Sequence, residues 1–237
     1  MSAHAPQIDL VMLLVHGLML VLFVGWGVYF VTVLVRFRQK RHPHAVHGGA
    51  KGRVAFFTEV GVVIAEAILL IGFALPIWFR QTSGPPPIES QPVVVRVVAE
   101  QFAWNFHYPG ADGQFGETSL TLISPTNPLG LDRKSRFGAD DITMLGLLHL
   151  PVNRPVVIQL SSKDVIHSFG VPAMRVKQDA IPGLRSAVWF TPTGIGEFEI
   201  ACSQLCGMAH YRMRASLIVE SEADFEKFLK DEAALLK

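Results

Sequence analysis

The sequence predicts an α+β membrane protein in which a hairpin of two transmembrane helices precedes a β-sandwich. Half of the 237 residues are hydrophobic, and the mean hydropathy of +0.34 is high for a soluble protein. The two longest apolar runs lie in the first third of the chain. Short β-branched runs separated by Pro and Gly fill most of the remainder, a pattern typical of sandwiches and barrels.

The first apolar run extends from Leu10 to Val35 without an acidic residue, lysine or arginine. A membrane-spanning helix needs about 20 apolar residues, so this run is long enough to cross a bilayer. A cleavable signal peptide is disfavoured because no Lys or Arg precedes the run and no small-residue cleavage site follows cleanly. A second run from about Phe56 to Phe79 completes a predicted transmembrane hairpin over residues 1–82.

The connection between the two helices is basic. It contains the segment Arg36–Arg41 as well as Lys51 and Arg53, and no acidic residue occurs between residues 10 and 57. The positive-inside rule therefore places the connection in the cytoplasm and the rest of the chain on the extracytoplasmic side. The bacterial plasma (inner) membrane is the expected location. A net charge of +1 gives no indication of nucleic-acid binding.

Three histidines in the same connection are predicted to lie in a solvated loop, because no scaffold fixes their geometry for a metal. They are His42, His44 and His47.

The rest of the chain divides into a linker, a β-rich domain and a terminal helix. Residues 83–92 are Pro-rich and predict a stiff linker. Residues 93–220 predict the sandwich, and residues 221–237 predict a short amphipathic helix with Phe225, Phe228 and Leu229 on one face. Five strands are predicted, over residues 93–98, 155–160, 186–190, 196–200 and 215–219.

A twelve-residue segment, from Cys202 to Met213, gives the strongest indication of function. It holds both cysteines of the chain in the pattern C-x3-C-x3-H-x2-M, in which the histidine is His210. Two thiols with an imidazole and a thioether favour copper over hard cations and over zinc. The spacing matches neither a C-x2-C zinc knuckle nor a C-x-x-C-H haem attachment.

A second thiolate indicates two metals that share bridging sulfurs, and such a centre needs one more histidine. His167 is the candidate, because it lies where a polar turn meets the next apolar run. The plainer interpretation of two cysteines in an extracytoplasmic domain is a disulfide or a pair of inert thiols. The fixed offsets of His210 and Met213 favour copper instead.

The loop resembles the dinuclear copper (CuA) loop of cytochrome c oxidase subunit II. Two upstream segments are also similar to that family: Asp164–Pro172 matches D-V-x-H-S-F-x-V-P, and Lys177–Gly183 matches K-x-D-A-I-P-G. With the two apolar helices, the resemblance covers nearly the whole chain. It implies that the sandwich is a cupredoxin fold and that the chain holds no oxygen-reducing site of its own.

The resemblance also implies a set of copper ligands. Two thiolates bridge the coppers, two imidazoles each cap one metal, and a thioether and a backbone carbonyl bind weakly at axial positions. In the same order, these ligands are Cys202, Cys206, His167, His210, Met213 and the carbonyl of Gln204.

Two positions depart from the family pattern. Phe102 stands where the family has its exposed electron-accepting tryptophan, and Trp104 corresponds to the second tryptophan. Gln204 stands where the family usually has a glutamate that helps to hold magnesium at the interface with subunit I. An amide is a weaker, neutral ligand for a hard cation, which makes magnesium binding doubtful.

Glu59 matches the family glutamate at the mouth of a proton-uptake path. An ordinary acidic residue near a helix N-terminus explains it equally well, because the helix dipole favours that placement.

The function implied is that of the subunit through which electrons enter a proton-pumping terminal oxidase. Cytochrome c or an equivalent donor would deliver electrons to the copper pair, and haem-copper subunit I would reduce oxygen to water. Subunit I, subunit III and membrane lipid are the expected partners. Two alternatives stay open: a CuA-bearing subunit of a nitric oxide reductase, and a non-catalytic copper-binding or assembly protein.

The segment from Tyr108 to Asp141 is rich in Gly, Pro and Asp and longer than an ordinary hairpin loop. We expect it to cover a neighbouring subunit or to shape a docking face.

Overall fold

Two long apolar helices open the chain. The computed structural model describes residues 1–44 and 52–236. Helix α1 spans Ala5–Arg36, and a second continuous helix spans Arg53–Thr82. By length and composition both can cross a membrane, and the two predicted apolar helices are confirmed. The predicted loop histidine His47 lies outside the described residues, as do Lys51 and the last residue.

The second apolar helix is not uniform. It consists of α2 (Arg53–Ala67), a π-helical segment (Ile68–Ala74) and α3 (Leu75–Thr82). Residues 6–84, which contain most of α1 and all of this helix, form one compact unit, and Met1–Ala5 with Pro85–Lys237 form the other. The four-part division of the chain into hairpin, linker, sandwich and terminal helix stays a prediction.

The second unit is built on ten strands. Strands β1 to β5 are Val93–Glu100, Ala103–Tyr108, Ile142–Leu145, Leu147–Pro151 and Val156–Ser162. Strands β6 to β10 are His167–Val171, Val176–Ala180, Ser186–Phe190, Gly196–Cys202 and Arg214–Glu220.

The strands form two five-stranded sheets, which confirms the predicted sandwich. One sheet has the order β3-β2-β1-β5-β8 and the other the order β4-β10-β9-β6-β7. Strand β1 alternates strictly between buried and less buried residues, so one face of its sheet is turned inward. The buried set of β1 continues into β2, where Val97 is paired with Phe106 and Ala99 with Trp104. These apolar side chains join those of the other sheet, such as Leu217, in one core between the sheets.

The terminal helix α4 spans Glu222–Ala234, within the segment for which the sequence predicts a helix. Ser221 caps it, because its Oγ accepts a hydrogen bond of 3.1 Å from the backbone N–H of Asp224. Phe225 is buried against the core, and Phe228 packs beside it. Burial of this aromatic face attaches the helix to the sandwich.

The long segment after β2 folds back onto the outer face of its own sheet. The Phe115 ring lies 5.0 Å from the His107 ring, and the Arg96 guanidinium lies 4.0 Å above Phe115. Asp141, at the far end of the segment, is fully buried and accepts a 2.7 Å hydrogen bond from the backbone N–H of Gly116. The expected role of this segment towards a neighbouring subunit stays a prediction.

Candidate metal centre

The sheet topology brings together side chains that are far apart in sequence. His167 is the first residue of β6, and Cys202 is the last residue of β9. These strands are antiparallel neighbours, with Phe169 paired with Cys202. The loop that follows β9 ends in a short 3-10 turn beginning at His210, and Met213 then leads directly into β10. Strands β9 and β10 are hydrogen-bonded to each other, so both ends of the loop are held.

The donor atoms of these side chains converge. The sulfurs of Cys202 and Cys206 are 3.7 Å apart, and His210 Nδ1 lies 3.6 Å from the Cys206 sulfur. The Met213 sulfur lies 3.8 Å from the Cys206 sulfur and 3.1 Å from His167 Nδ1. One donor atom each from His167, Cys202 and Cys206 lies within 4.8 Å of the other two.

These distances fit a metal-binding site. For metal–sulfur bonds of about 2.3 Å, two ligands of one tetrahedral ion lie about 3.8 Å apart. The two cysteines are free and not joined by a disulfide. His167 and Met213 are 0% and 1% exposed and both cysteines are buried, so these four side chains are screened from water. The carbonyl oxygen of Gln204 faces the same cluster, 3.1 Å from the Cys202 sulfur. A soft donor set of this kind suits copper.

Burial and the neighbouring Cys202 thiol raise the pKa of the Cys206 thiol to about 11. Without a metal the group therefore holds its proton at neutral pH. A thiolate is required to bind a metal, so metal binding at this site releases a proton from Cys206.

A carboxylate supports the far side of His167. Its Nε2 lies 2.8 Å from Asp164 Oδ1, while its Nδ1 faces the sulfur cluster. Burial alone would raise the pKa of Asp164, but hydrogen bonds from His167, Gln101 N–H and Val165 N–H outweigh it, and the pKa is lowered. An ionised carboxylate accepts a hydrogen bond from Nε2–H, which leaves the lone pair of Nδ1 free to bind a metal.

The two aromatic candidates for electron transfer occupy different environments. Trp104 is completely buried, and its ring lies edge-on to the His167 ring at 6.2 Å. Phe102 is half-buried at the turn between β1 and β2. Its ring packs on the metal loop, because a Cβ placed at Gly207 would lie 3.0 Å from Phe102 Cζ. Gly207 also has φ +136°, so glycine is needed there for both conformation and contact.

The loop presents an exposed apolar rim. Leu205, Met208 and Tyr211 are 85%, 98% and 70% exposed, although their neighbours Cys206 and Met213 are buried. Glu59 lies on α2 in the other compact unit and is exposed there.

Two further residues at this site, Asp164 and Gln101, make contacts that the sequence analysis does not predict. Asp164 belongs to the D-V-x-H stretch, and its position three residues before His167 is the one signal in the sequence that points to it. Gln101 donates from its Nε2 to the carbonyl oxygen of Cys206 at 2.6 Å. Nothing in the sequence pattern indicated that contact, since 105 residues separate the two.

Comparisons with known proteins agree with the resemblance. The family model "Cytochrome C oxidase subunit II, periplasmic domain" matches residues 93–221. The chain is 35% identical over 213 residues to the alternative cytochrome c oxidase subunit 2 of Bradyrhizobium diazoefficiens, which covers 90% of this chain and 73% of that protein. It is 33% identical over 223 residues to cytochrome c oxidase subunit 2 of Cereibacter sphaeroides, covering 85% and 69%.

Among solved structures, the periplasmic domain of subunit II of cytochrome oxidase of Bradyrhizobium japonicum matches with a TM-score of 0.45 and 28% identity. The match covers 61% of this chain and 96% of that one. The family match over residues 93–221 agrees with the predicted cupredoxin-like sandwich. The family match over the sandwich and the identity to both relatives establish that the chain belongs to the cytochrome c oxidase subunit II family, whose members are subunits of a terminal oxidase.

Proposed function

We propose that this chain is the subunit through which electrons enter a membrane-bound, proton-pumping haem-copper oxidase that reduces oxygen to water. One observation carries the proposal: two buried thiols, two imidazoles and a thioether converge at one end of the sandwich. Family membership supports it, since the relatives are cytochrome c oxidase subunits. The donor would be an extracytoplasmic cytochrome c or an equivalent protein.

We assign each ligand a role from the contacts at the site. Cys202 and Cys206 would be shared by two coppers, because their sulfurs lie side by side within reach of both imidazoles. His167 and His210 would each cap one metal through Nδ1, the nitrogen that faces sulfur in both residues. The remaining donors, the Met213 sulfur and the Gln204 carbonyl oxygen, would complete the set.

When bound, a copper pair of this kind supplies one-electron transfer. The protein contributes burial and rigidity. Strands β6, β9 and β10 hold the two ends of the loop and the opposing histidine in one hydrogen-bonded sheet. His167, both cysteines and Met213 are buried, which limits access of water. A copper pair whose ligand positions are all filled by the protein would be suited to electron transfer and not to oxygen chemistry. Oxygen reduction therefore falls to subunit I of the oxidase.

Phe102 is our candidate for the contact with the donor. Its ring is half-buried and packs on Gly207, next to Cys206, which gives a short path from the surface to a thiolate. Trp104 is fully buried and reaches the site through His167. We assign Trp104 a supporting role in the core, because an electron that passed through it would take a longer route to the copper site. The exposed rim of Leu205, Met208 and Tyr211 surrounds this path.

The two apolar helices would anchor the chain in the inner membrane of a bacterium, with the basic connection in the cytoplasm. In this orientation Glu59 lies near the cytoplasmic start of the second helix, where a proton path into subunit I would open. Subunits I and III and membrane lipid would surround the helices. No magnesium site is proposed at Gln204, because an amide is a poor ligand for that ion.

The proposal is tested with the full chain in its membrane complex, loaded with copper, oxidised and mixed rapidly with reduced cytochrome c. We expect electrons to move to the copper site and then to oxygen. Cys206→Ser should abolish both steps. Lys227→Gln, on the exposed face of α4 and outside the metal loop, is the control and should leave both intact.

Consumption of nitric oxide in place of oxygen would support the nitric oxide reductase alternative. Copper that is readily lost, in a chain that co-purifies with no haem subunit, would support the assembly alternative. Either result would overturn the proposed function.

A further inference from the structure

Gln101 contacts both halves of the metal centre at once. It lies at the turn between β1 and β2, outside the ligand loop. Its backbone N–H donates to Asp164 Oδ2 at 2.7 Å, and its side-chain Nε2 donates to the carbonyl oxygen of Cys206 at 2.6 Å. One residue thus connects the carboxylate behind His167 to the loop that carries the thiols.

The carboxylate at the centre of this arrangement is fully engaged. Asp164 Oδ1 accepts from Val165 N–H at 2.7 Å and faces His167 Nε2 at 2.8 Å, while Oδ2 accepts from Gln101 N–H. Three donors fix the position of both oxygens. Because Nε2 must then carry the proton, His167 keeps its Nδ1 lone pair directed at the sulfur cluster.

A second set of bonds holds the same two segments together. Lys163 N–H donates to the carbonyl oxygen of Ala99 at 3.0 Å, and Lys163 Nζ forms a 2.7 Å ion pair with Glu100. The residues before Asp164 are therefore attached to the residues before Gln101. These bonds hold in place the two segments that form the Gln101–Asp164 contact.

We infer that Gln101 and Asp164 form a positioning clamp that holds His167 and the Cys206 side of the loop at their copper-binding separation. The inference rests on the proposed function, since it concerns the affinity and potential of the copper site. Hydrogen-bond partners of metal ligands typically contribute roughly 10- to 100-fold in metal affinity. The carboxylate also adds negative charge next to a copper ligand, which favours the oxidised metal.

The test uses the full chain in detergent, titrated with copper, with the reduction potential measured in the same samples. Asp164→Asn keeps the shape of the side chain but removes its charge and places an amide opposite a donor. We expect copper affinity to fall by roughly 10- to 100-fold and the potential to rise. Gln101→Leu removes only the bond to Cys206 and changes no charge. We expect copper affinity to fall by less than in Asp164→Asn, and the potential to change by less.

Asp141→Asn is the matched control, because it makes the same change in another buried His–Asp pair of the sandwich. It should leave copper affinity and potential at the wild-type values. A folded Asp164→Asn chain with wild-type affinity and potential would overturn the clamp. If Asp164→Asn does not fold, Gln101→Leu carries the test, and wild-type values in that variant would overturn it. Failure of the wild-type chain to bind copper would instead overturn the proposed function.

Discussion

Two buried histidines of the same sandwich are each paired with an aspartate, and the two pairs have different roles. His167 pairs with Asp164 at 2.8 Å, and His107 pairs with Asp141 at 2.5 Å. Both histidines are almost completely buried. The carboxylates differ, since the Asp164 side chain is 31% exposed and the Asp141 side chain is fully buried.

The difference lies in what surrounds each pair. The second nitrogen of His167 faces the Met213 sulfur at 3.1 Å, inside a cluster of soft donors. The His107 ring packs instead against Phe115, and Asp141 accepts backbone hydrogen bonds from the segment that follows β2. In the proposed function, the same pair of side chains would position a copper ligand in one place, while it attaches a loop in the other. Neighbouring donors, and not the pair itself, distinguish a metal site from a structural one.

The largest expected effect is the loss of copper when the histidine of the first pair is removed. His167→Ala deletes a ligand, so we expect copper affinity to fall by more than the roughly 100-fold typical of a ligand's supporting residue. The spectrum of the copper pair should disappear. His107→Ala is the matched variant and should retain copper content and spectrum. Equal copper loss in both variants would contradict the assigned difference.

The second prediction concerns stability, which should depend more on the His107–Asp141 pair than on the His167–Asp164 pair. Asp141→Ala leaves His107 and the N–H groups of Gly110 and Gly116 without their acceptor in a buried site. We expect the free energy of unfolding of the sandwich to fall by about 3 kcal/mol. Asp164→Ala, at a more exposed position, should cost less. Thermal unfolding of metal-free full chains in detergent measures both, and the reverse order would count against the comparison.

The smallest effect is a pH dependence. Burial lowers the pKa of His107 against the opposing effect of Asp141, and Arg96 and Arg133 add to the lowering. The unfolded chain, with its ordinary histidine pKa of about 6.5, binds this proton at a higher pH than the folded chain. His107 therefore contributes stability that is present above about pH 6.5 and is lost as the pH falls towards its folded pKa.

His107→Gln removes this titration. The unfolding free energy of the variant should decline less steeply than that of the wild type between about pH 7 and pH 5. Parallel declines in the two chains would show that His107 is not the titrating group.

Much of this architecture could be predicted from the sequence, because the signals are local. The apolar helices are continuous runs, and β1 is a regular alternation of valines. The copper loop is a contiguous motif. Strand β7, Val176–Ala180, escaped prediction because polar Lys, Gln and Asp side chains interrupt it. It becomes a strand through its pairing with β6, which is a tertiary contact.

The supporting contacts could not be predicted for the same reason. Gln101 reaches Asp164 across 63 residues, and His107 reaches Asp141 across 34. Both separations are far longer than the repeat of a helix or a strand, so sequence periodicity does not reveal these contacts. Only the sheet pairing, which places the β1–β2 turn beside the residues that follow β5, creates the first contact.

We propose that His167 and the loop from Cys202 to Met213 hold two coppers as one unit. Copper content per chain and the electron paramagnetic resonance spectrum of the purified full-length protein test this most directly. We expect two coppers per chain and a mixed-valence signal in which one unpaired electron is shared between them. One copper per chain, with the hyperfine pattern of a single metal, would contradict it.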